Sequence, residues 1–210
     1  MTYTDTTRSL GRGPGNAPAD LVITGGRLFN VFTGELLDGR CVLVKHGKIA
    51  GLVRDAKNSM GADTEIIDAS GKTLVPGLID GHTHLAWMFT PEKFLAHAMA
   101  GGTTSIVTEI CDPCYVCGPA GALDFLAALA DQPVKIFAVA PAMVSISRRT
   151  RGIDLDELKS LLARPDLLGI GESYWQGVLQ SPDIFLPEFE AARAQRKTIE
   201  GHSAGASEKS

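Results

Sequence analysis

The stretch LVPGLIDGHTHL, residues 74–85, decides the fold. A run of Leu, Val and Ile leads through Pro76 and Gly77 into His82 and His84, which one threonine separates. Side chains two positions apart on a β-strand lie on the same face. Two adjacent imidazoles are poor core material, but their neutral nitrogens are good ligands for Zn, Fe, Mn or Ni. The stretch therefore predicts a strand that ends in a pair of metal ligands.

On the N-terminal side of this stretch the sequence is typical of β-structure. Short runs of β-forming residues are separated by Gly-Gly, Gly-Glu, His-Gly and Ser-Gly turn signals. They predict the N-terminal part of a β-sandwich domain over residues 20–77. Residues 1–19 lack the apolar centre of a signal peptide and are expected to form a flexible tail.

After Gly77 strand-like runs alternate with helix-like runs. The predicted strands are 78–84, 103–109, 134–140, 167–172 and 197–202. Thr90 and Pro91 predict a helix start, and Asp154 with Glu157 predicts a capping box. Two further helices are predicted over 119–131 and 187–196. Such alternation indicates βαβ units and a parallel sheet over residues 78–210.

Residues of metal-ligand type occupy the carboxyl ends of four of these five strands. The first strand ends in His84, the second in Glu109, the fourth in Glu172 and the fifth in His202. In a (β/α)8 barrel the active site is built at that end of the strands. The pattern therefore predicts a metal site assembled from several strands.

At this point the motifs resemble a known family. PGLIDGHTHL, GGTTSIV, GIGE and IEGHSAG are similar to motifs of the metal-dependent amidohydrolase superfamily, and most like those of adenine deaminase. The resemblance covers residues 20–207. It implies an α/β fold: the first five strands of an amidohydrolase-type (β/α)8 TIM barrel, truncated after the fifth, preceded by part of a small β-sandwich.

The resemblance also implies a site. His82 and His84 would be first-strand ligands, Glu172 the catalytic carboxylate that bridges two metals, and His202 the fifth-strand ligand. The cofactors would be two divalent ions, Mn, Fe or Zn. The family also uses a sixth-strand histidine and an eighth-strand aspartate, and a complete barrel needs ~250 residues. The 210-residue chain alone is therefore expected to be inactive.

The implied reaction is hydrolytic deamination of adenine or a related aminopurine. The loops LAWMFTPE and EICDPCYVCGP depart from the adenine deaminase pattern. A dihydroorotase-like or hydantoinase-like activity on another cyclic amide or amidine stays open, as does an inactive truncated fragment. Glu109 and Trp87 are weaker candidates for substrate binding: Glu109 could instead cap a loop or bind an arginine, and Trp87 could pack in its loop.

Three cysteines, Cys111, Cys114 and Cys117, have the spacing C-x2-C-x2-C. An iron–sulfur run would continue at position 121, which is Gly121. The zinc nucleobase-deaminase signature requires an upstream His-x-Glu, which the sequence lacks. A structural zinc site with Cys41 stays open. We expect free thiols in a loop near the mouth of the site.

Composition limits the partners. The net charge of −4 gives no electrostatic case for nucleic acid binding. No apolar run approaches the ~18 residues of a membrane span. The four unevenly spaced cysteines favour a reducing cytoplasm. The expected partner is a small molecule, a purine base or cyclic amide, and the complete protein is expected to be a homo-oligomer.

Overall fold

The structure is a computed structural model that describes residues 18–142 and 152–207. Most of the predicted tail, residues 1–17, lies outside the described residues. The chain divides between Pro76 and Gly77 into two compact units. Among the described residues, no helix combines the length and apolar character that crossing a membrane requires.

The first unit contains two small sheets. The strands are β1 (Leu21–Thr24), β2 (Arg27–Asn30), β3 (Glu35–Leu37), β4 (Cys41–Lys45), β5 (Lys48–Val53), β6 (Glu65–Asp68) and β7 (Thr73–Leu74). A four-stranded sheet has the order β5-β4-β1-β6, and a three-stranded sheet has the order β3-β2-β7. Val22 and Leu43 of the four-stranded sheet form a buried core together with Ala19 and Ala56. These strands agree with the predicted part of a β-sandwich.

The second unit is built on a five-stranded sheet. Its strands are β8 (Leu78–Thr83), β9 (Thr103–Glu109), β10 (Lys135–Pro141), β11 (Leu167–Tyr174) and β12 (Thr198–His202). They lie side by side in chain order, and every neighbouring pair is parallel. This arrangement confirms the predicted parallel sheet of five strands, as in the first part of a (β/α)8 barrel.

The sheet is curled. Laid flat, five strands would separate the outermost pair by roughly 19 Å. However, the His82 imidazole on β8 reaches the Glu200 carboxylate on β12, with Nδ1 3.2 Å from Oε2. The curl therefore brings side chains of the first and last strands into contact on the concave face.

Helices connect the strands. They are α1 (Pro91–Ala100), α2 (Cys111–Ala128), α3 (Leu155–Leu162), α4 (Trp175–Gln180) and α5 (Pro182–Ala194). The predicted capping box is present: Asp154 accepts from the Glu157 backbone N–H, while the Glu157 carboxylate accepts from the Asp154 N–H. It starts a helix that buries Leu158 and Leu162 against a core containing Ile170.

Two helix predictions were wrong in their bounds, and a third helix was missed. The segment 111–118, predicted as a loop, is helical, and Gly118 with φ 71° kinks α2 where a helix start was predicted. Pro113 is compatible with this helix because its missing N–H falls in the first turn, where N–H groups have no partner within the helix. Helix α5 begins at Pro182 for the same reason, and α4 was not predicted.

Candidate metal centre

Three imidazoles converge on one carboxylate oxygen. Glu172 Oε1 lies 3.5 Å from His82 Nε2, 3.2 Å from His84 Nε2 and 3.1 Å from His202 Nε2. The structure thus brings together the four residues that the sequence proposed as ligands. Their role as ligands stays a prediction.

Two β-bulges aim these side chains. Strand β8 carries one extra residue between Asp80 and Thr83 relative to β9, and β11 carries one between Ile170 and Ser173 relative to β12. Each bulge contains a site residue, His82 in one and Glu172 in the other. A bulge bends the strand and redirects its side chains. Glu172 also has a left-handed φ of 54°, a conformation that costs on the order of 1–3 kcal/mol and persists only where the surroundings fix it.

The donor set fits a divalent metal. One carboxylate oxygen offers two lone pairs, so it cannot accept good hydrogen bonds from three imidazoles at once. Neutral imidazole and carboxylate donors suit Zn, Fe and Mn. The ligand atoms of His82, Glu172 and His202 all lie within 4.8 Å of one another. A cation among them would resolve the crowding on Glu172.

Two further carboxylates face the other nitrogens of the first two imidazoles. Glu200 Oε2 lies 3.2 Å from His82 Nδ1, and Asp112 Oδ2 lies 3.2 Å from His84 Nδ1. Neither carboxylate was selected from the sequence. Glu200 could have been found because it stands two residues before His202 on one strand and so shares its face. Asp112 opens the helix that follows the second strand, on the side where barrel sites form.

Glu109 lies beneath this cluster. Its side chain is fully buried, 3.6 Å from His82 Nδ1, and neither of its oxygens has a hydrogen-bond partner among the described residues. Burial and the neighbouring Glu200 carboxyl raise the pKa of Glu109 well above its usual value. Gly171 makes room for the pair, since a Cβ there would overlap Glu109 Oε1 and lie 2.6 Å from Glu200 Oε1. Glu109 contacts His82 rather than an arginine, and its role in substrate binding stays a prediction.

Aromatic rings flank the imidazoles. The Trp87 ring centroid lies 5.2 Å from that of His84, and the Tyr174 centroid lies 5.2 Å from that of His202. His82 stands between the two histidines, with centroid distances of 5.5 and 5.1 Å. Trp87 is 71% exposed and Tyr174 40% exposed. The five rings form an arc whose two ends are open to solvent.

The three clustered cysteines have different surroundings. Cys111 Sγ lies 3.8 Å from His84 Nδ1, whereas Cys114 is buried in the hydrophobic core and Cys117 is exposed. Burial raises the pKa of the Cys111 thiol and raises that of Cys114 to about 12. The expectation of a loop thiol near the mouth of the site was therefore wrong for Cys114. Cys114 lies on helix α2, and its side chain packs in the hydrophobic core. Cys41 lies in the first unit, where its thiol contacts Thr24.

Comparison with curated proteins confirms the resemblance to adenine deaminases. The chain is 35% identical over 196 residues to adenine deaminase 1 of Jannaschia sp. (strain CCS1), covering 90% of this chain and 33% of that protein. It is 37% identical over 193 residues to adenine deaminase of Methanococcoides burtonii, again covering 90% of this chain and 33% of that protein. The chain therefore spans about one third of the length of these relatives. No protein-family model matches it.

Solved structures support the fold. N-acyl-D-glutamate deacylase from Bordetella bronchiseptica, complexed with zinc and a phosphonate inhibitor, has a TM-score of 0.63 at 23% identity, covering 87% of this chain and 44% of that chain. An adenine deaminase crystal structure has a TM-score of 0.58 at 16% identity, covering 87% of this chain and 49% of that chain. At these identities the likeness concerns the fold alone, a half-barrel of parallel strands.

Proposed function

We propose that this chain, a half-barrel similar to adenine deaminases over 90% of its length, belongs to a metal-dependent hydrolase that deaminates adenine or a related aminopurine. The observation that carries the proposal is the convergence of three imidazole Nε2 atoms on Glu172 Oε1. In the reaction, water adds to the ring carbon that bears the amino group, and ammonia leaves.

The implied cofactor is a pair of divalent ions, Mn, Fe or Zn. His82, His84, Glu172 and His202 would hold them. When bound, such ions lower the pKa of a water molecule and polarise the substrate. Glu172 would take its proposed catalytic role by holding the ions that supply this chemistry. The bulge in β11 and the buried neighbours of Glu172 hold its carboxylate in place.

The aromatic arc favours a planar substrate. Exposed Trp87 and Tyr174 stand at its two ends, where flat rings can stack on a flat heterocycle. A purine meets this requirement. A hydantoin-like or dihydroorotate-like cyclic amide is the second candidate, because the sequence around Cys111 and Asp112 departs from the adenine deaminase pattern. An inactive fragment is the third.

The proposal also covers the partners, the cellular location and the oligomeric state of the protein. A small molecule is the expected partner, with neither nucleic acid nor membrane involved. The uneven cysteine spacing favours a cytoplasmic location. We also propose that the complete protein is a homo-oligomer.

The test is ammonia release by the longest protein that contains this chain. It is freed of metal, reloaded with Mn²⁺, Fe²⁺ or Zn²⁺, and supplied with a purine panel or a hydantoin. We expect metal-dependent release of ammonia from adenine or another aminopurine, and none from the 210-residue chain alone. His202→Ala should lower the rate by at least about 100-fold, while His97→Ala on the exposed face of α1 should not change it.

The outcomes separate the candidates. Turnover of hydantoin but of no purine would keep the fold and discard the deaminase assignment. Equal turnover by the 210-residue chain and the longer protein would contradict the expectation that further residues carry essential chemistry. Turnover that survives complete metal removal would contradict the proposal itself.

A further inference from the structure

The first two histidines of the site differ from the third in what surrounds their rings. His82 and His84 each have Nε2 facing Glu172 and Nδ1 facing a second carboxylate, Glu200 or Asp112. Among the described residues, Glu172 is the only carboxylate that a ring nitrogen of His202 contacts, through Nε2. The two imidazoles of the first strand are therefore held from both sides.

We propose that Glu200 and Asp112 are positioning residues, which accept a hydrogen bond from Nδ1–H of His82 and His84 and so leave each Nε2 unprotonated toward the metal site. The inference rests on the proposed metal-dependent function. An imidazole nitrogen can bind a metal only through its lone pair, and the hydrogen bond at the other nitrogen decides which one keeps the proton.

The Glu200 contact is the better defined of the two. Both of its oxygens lie close to His82 Nδ1, at 3.3 and 3.2 Å, whereas His82 Nε2 is 3.5 Å from Glu172 Oε1. The shorter contacts favour a proton on Nδ1. For His84 the two contacts are equal at 3.2 Å. Asp112 and Glu172 therefore compete for the one N–H of the neutral imidazole, and a cation bound at Nε2 would leave that N–H to Asp112.

Neighbouring residues pack against the inner side of Glu200. A Cβ on Gly201 would overlap the Ser173 backbone, so this packing of β12 against β11 requires glycine at position 201. The Glu200 carboxylate then lies beside Gly171 and the buried Glu109. These neighbours bound the carboxylate on its inner side, while the Glu200 side chain is 34% exposed on the other.

The first test is the tautomer of His82, measured by ¹⁵N NMR of the imidazoles in the metal-free 210-residue chain. We expect Nδ1–H in the wild type. Glu200→Gln should keep this tautomer because the amide oxygen still accepts a hydrogen bond. In Glu200→Leu the Nδ1–H tautomer of His82 should no longer predominate. Glu190→Leu, an exposed change on α5, is the control and should leave the tautomer unchanged. Nδ1–H in all four proteins, or Nε2–H in the wild type, would overturn the proposal.

The second test is Co²⁺ affinity of the same proteins, read from the visible spectrum of the bound ion. We expect Glu200→Leu and Asp112→Leu to bind roughly 10–100-fold more weakly, and Glu200→Gln to lie between Glu200→Leu and the wild type. Far-UV circular dichroism shows which variants fold. If Glu200→Leu does not fold, the affinity of Glu200→Gln is compared with that of the wild type instead. Wild-type affinity in a folded Glu200→Leu would overturn the positioning role. A wild-type chain that binds no Co²⁺ but keeps the His82 tautomer contradicts the metal-dependent function and leaves the Glu200 hydrogen bond standing.

Discussion

Glu172 on β11 and His202 on β12 face each other across neighbouring strands, with Oε1 3.1 Å from Nε2. The contact depends on an irregularity: β11 has an extra residue here, and Glu172 adopts a left-handed backbone. Strained residues of this kind cluster at functional sites, where surrounding structure holds them. The backbone of β11 is thus distorted at Glu172, the residue that we propose as a metal ligand.

Gly171, next to Glu172, should not tolerate a side chain. Gly171→Ala should lower the free energy of unfolding by about 1–3 kcal/mol, because the new Cβ would overlap Glu109, which is fully buried and cannot move aside. Urea unfolding measures the change. Gly81→Ala is the matched control, since no atom lies within 4 Å of its Cβ position. Equal stabilities of the two variants would contradict the close packing around Glu109.

Much of the fold could be predicted because β-rich runs and caps are local signals. The five parallel strands lie within two residues of their predicted bounds. The first turn of α2 was missed because Pro113 and Gly118 read as loop residues. Pro113 falls where a missing N–H costs nothing, and Gly118 bends the helix rather than preventing it.

The site could be predicted only in part. His82, His84, Glu172 and His202 stand at strand ends, so chain position alone selects them. Glu200 was missed because its partner His82 lies on the far strand of the sheet. Only the curl of the sheet, a long-range property, brings the two together.

The cysteines should differ in reactivity at pH 8. Thiolate is the reactive form, and burial raises the pKa of Cys111 and raises that of Cys114 to about 12. We expect an alkylating reagent to modify exposed Cys117 roughly tenfold faster or more than either, as measured by peptide mass spectrometry. In urea, Cys111, Cys114 and Cys117 should react at similar rates. If the reagent modifies Cys114 in the folded protein as fast as Cys117, the prediction is wrong and Cys114 lies outside the hydrophobic core.

Glu188 on α5 should make stability depend on pH. Burial raises its pKa from 4.5 to about 7, so the folded state holds a proton that the unfolded state releases. Its stabilising contribution is complete below pH 4.5 and is lost as pH rises through about 7, a change of roughly 3 kcal/mol. Glu188→Gln stays neutral, so its unfolding free energy should rise relative to the wild type by that amount between pH 4.5 and 7.5.

The control for this prediction is Glu190→Gln, an exposed change on the same helix. The difference in unfolding free energy between Glu190→Gln and the wild type should not vary with pH. If the difference in unfolding free energy between Glu188→Gln and the wild type is also independent of pH, the prediction is wrong and the Glu188 carboxyl is hydrated in the folded protein.

The central claim, that the converging side chains form a divalent metal site, is tested most directly by anomalous X-ray diffraction. Crystals of the longest protein containing this chain would be grown with Mn²⁺ or Zn²⁺ and measured at the metal edge. We predict anomalous density between the imidazoles of His82, His84 and His202, about 2.0–2.3 Å from their Nε2 atoms and from a Glu172 oxygen. Density confined to other positions, such as the cysteines of α2, or no density at saturating metal, would contradict the claim.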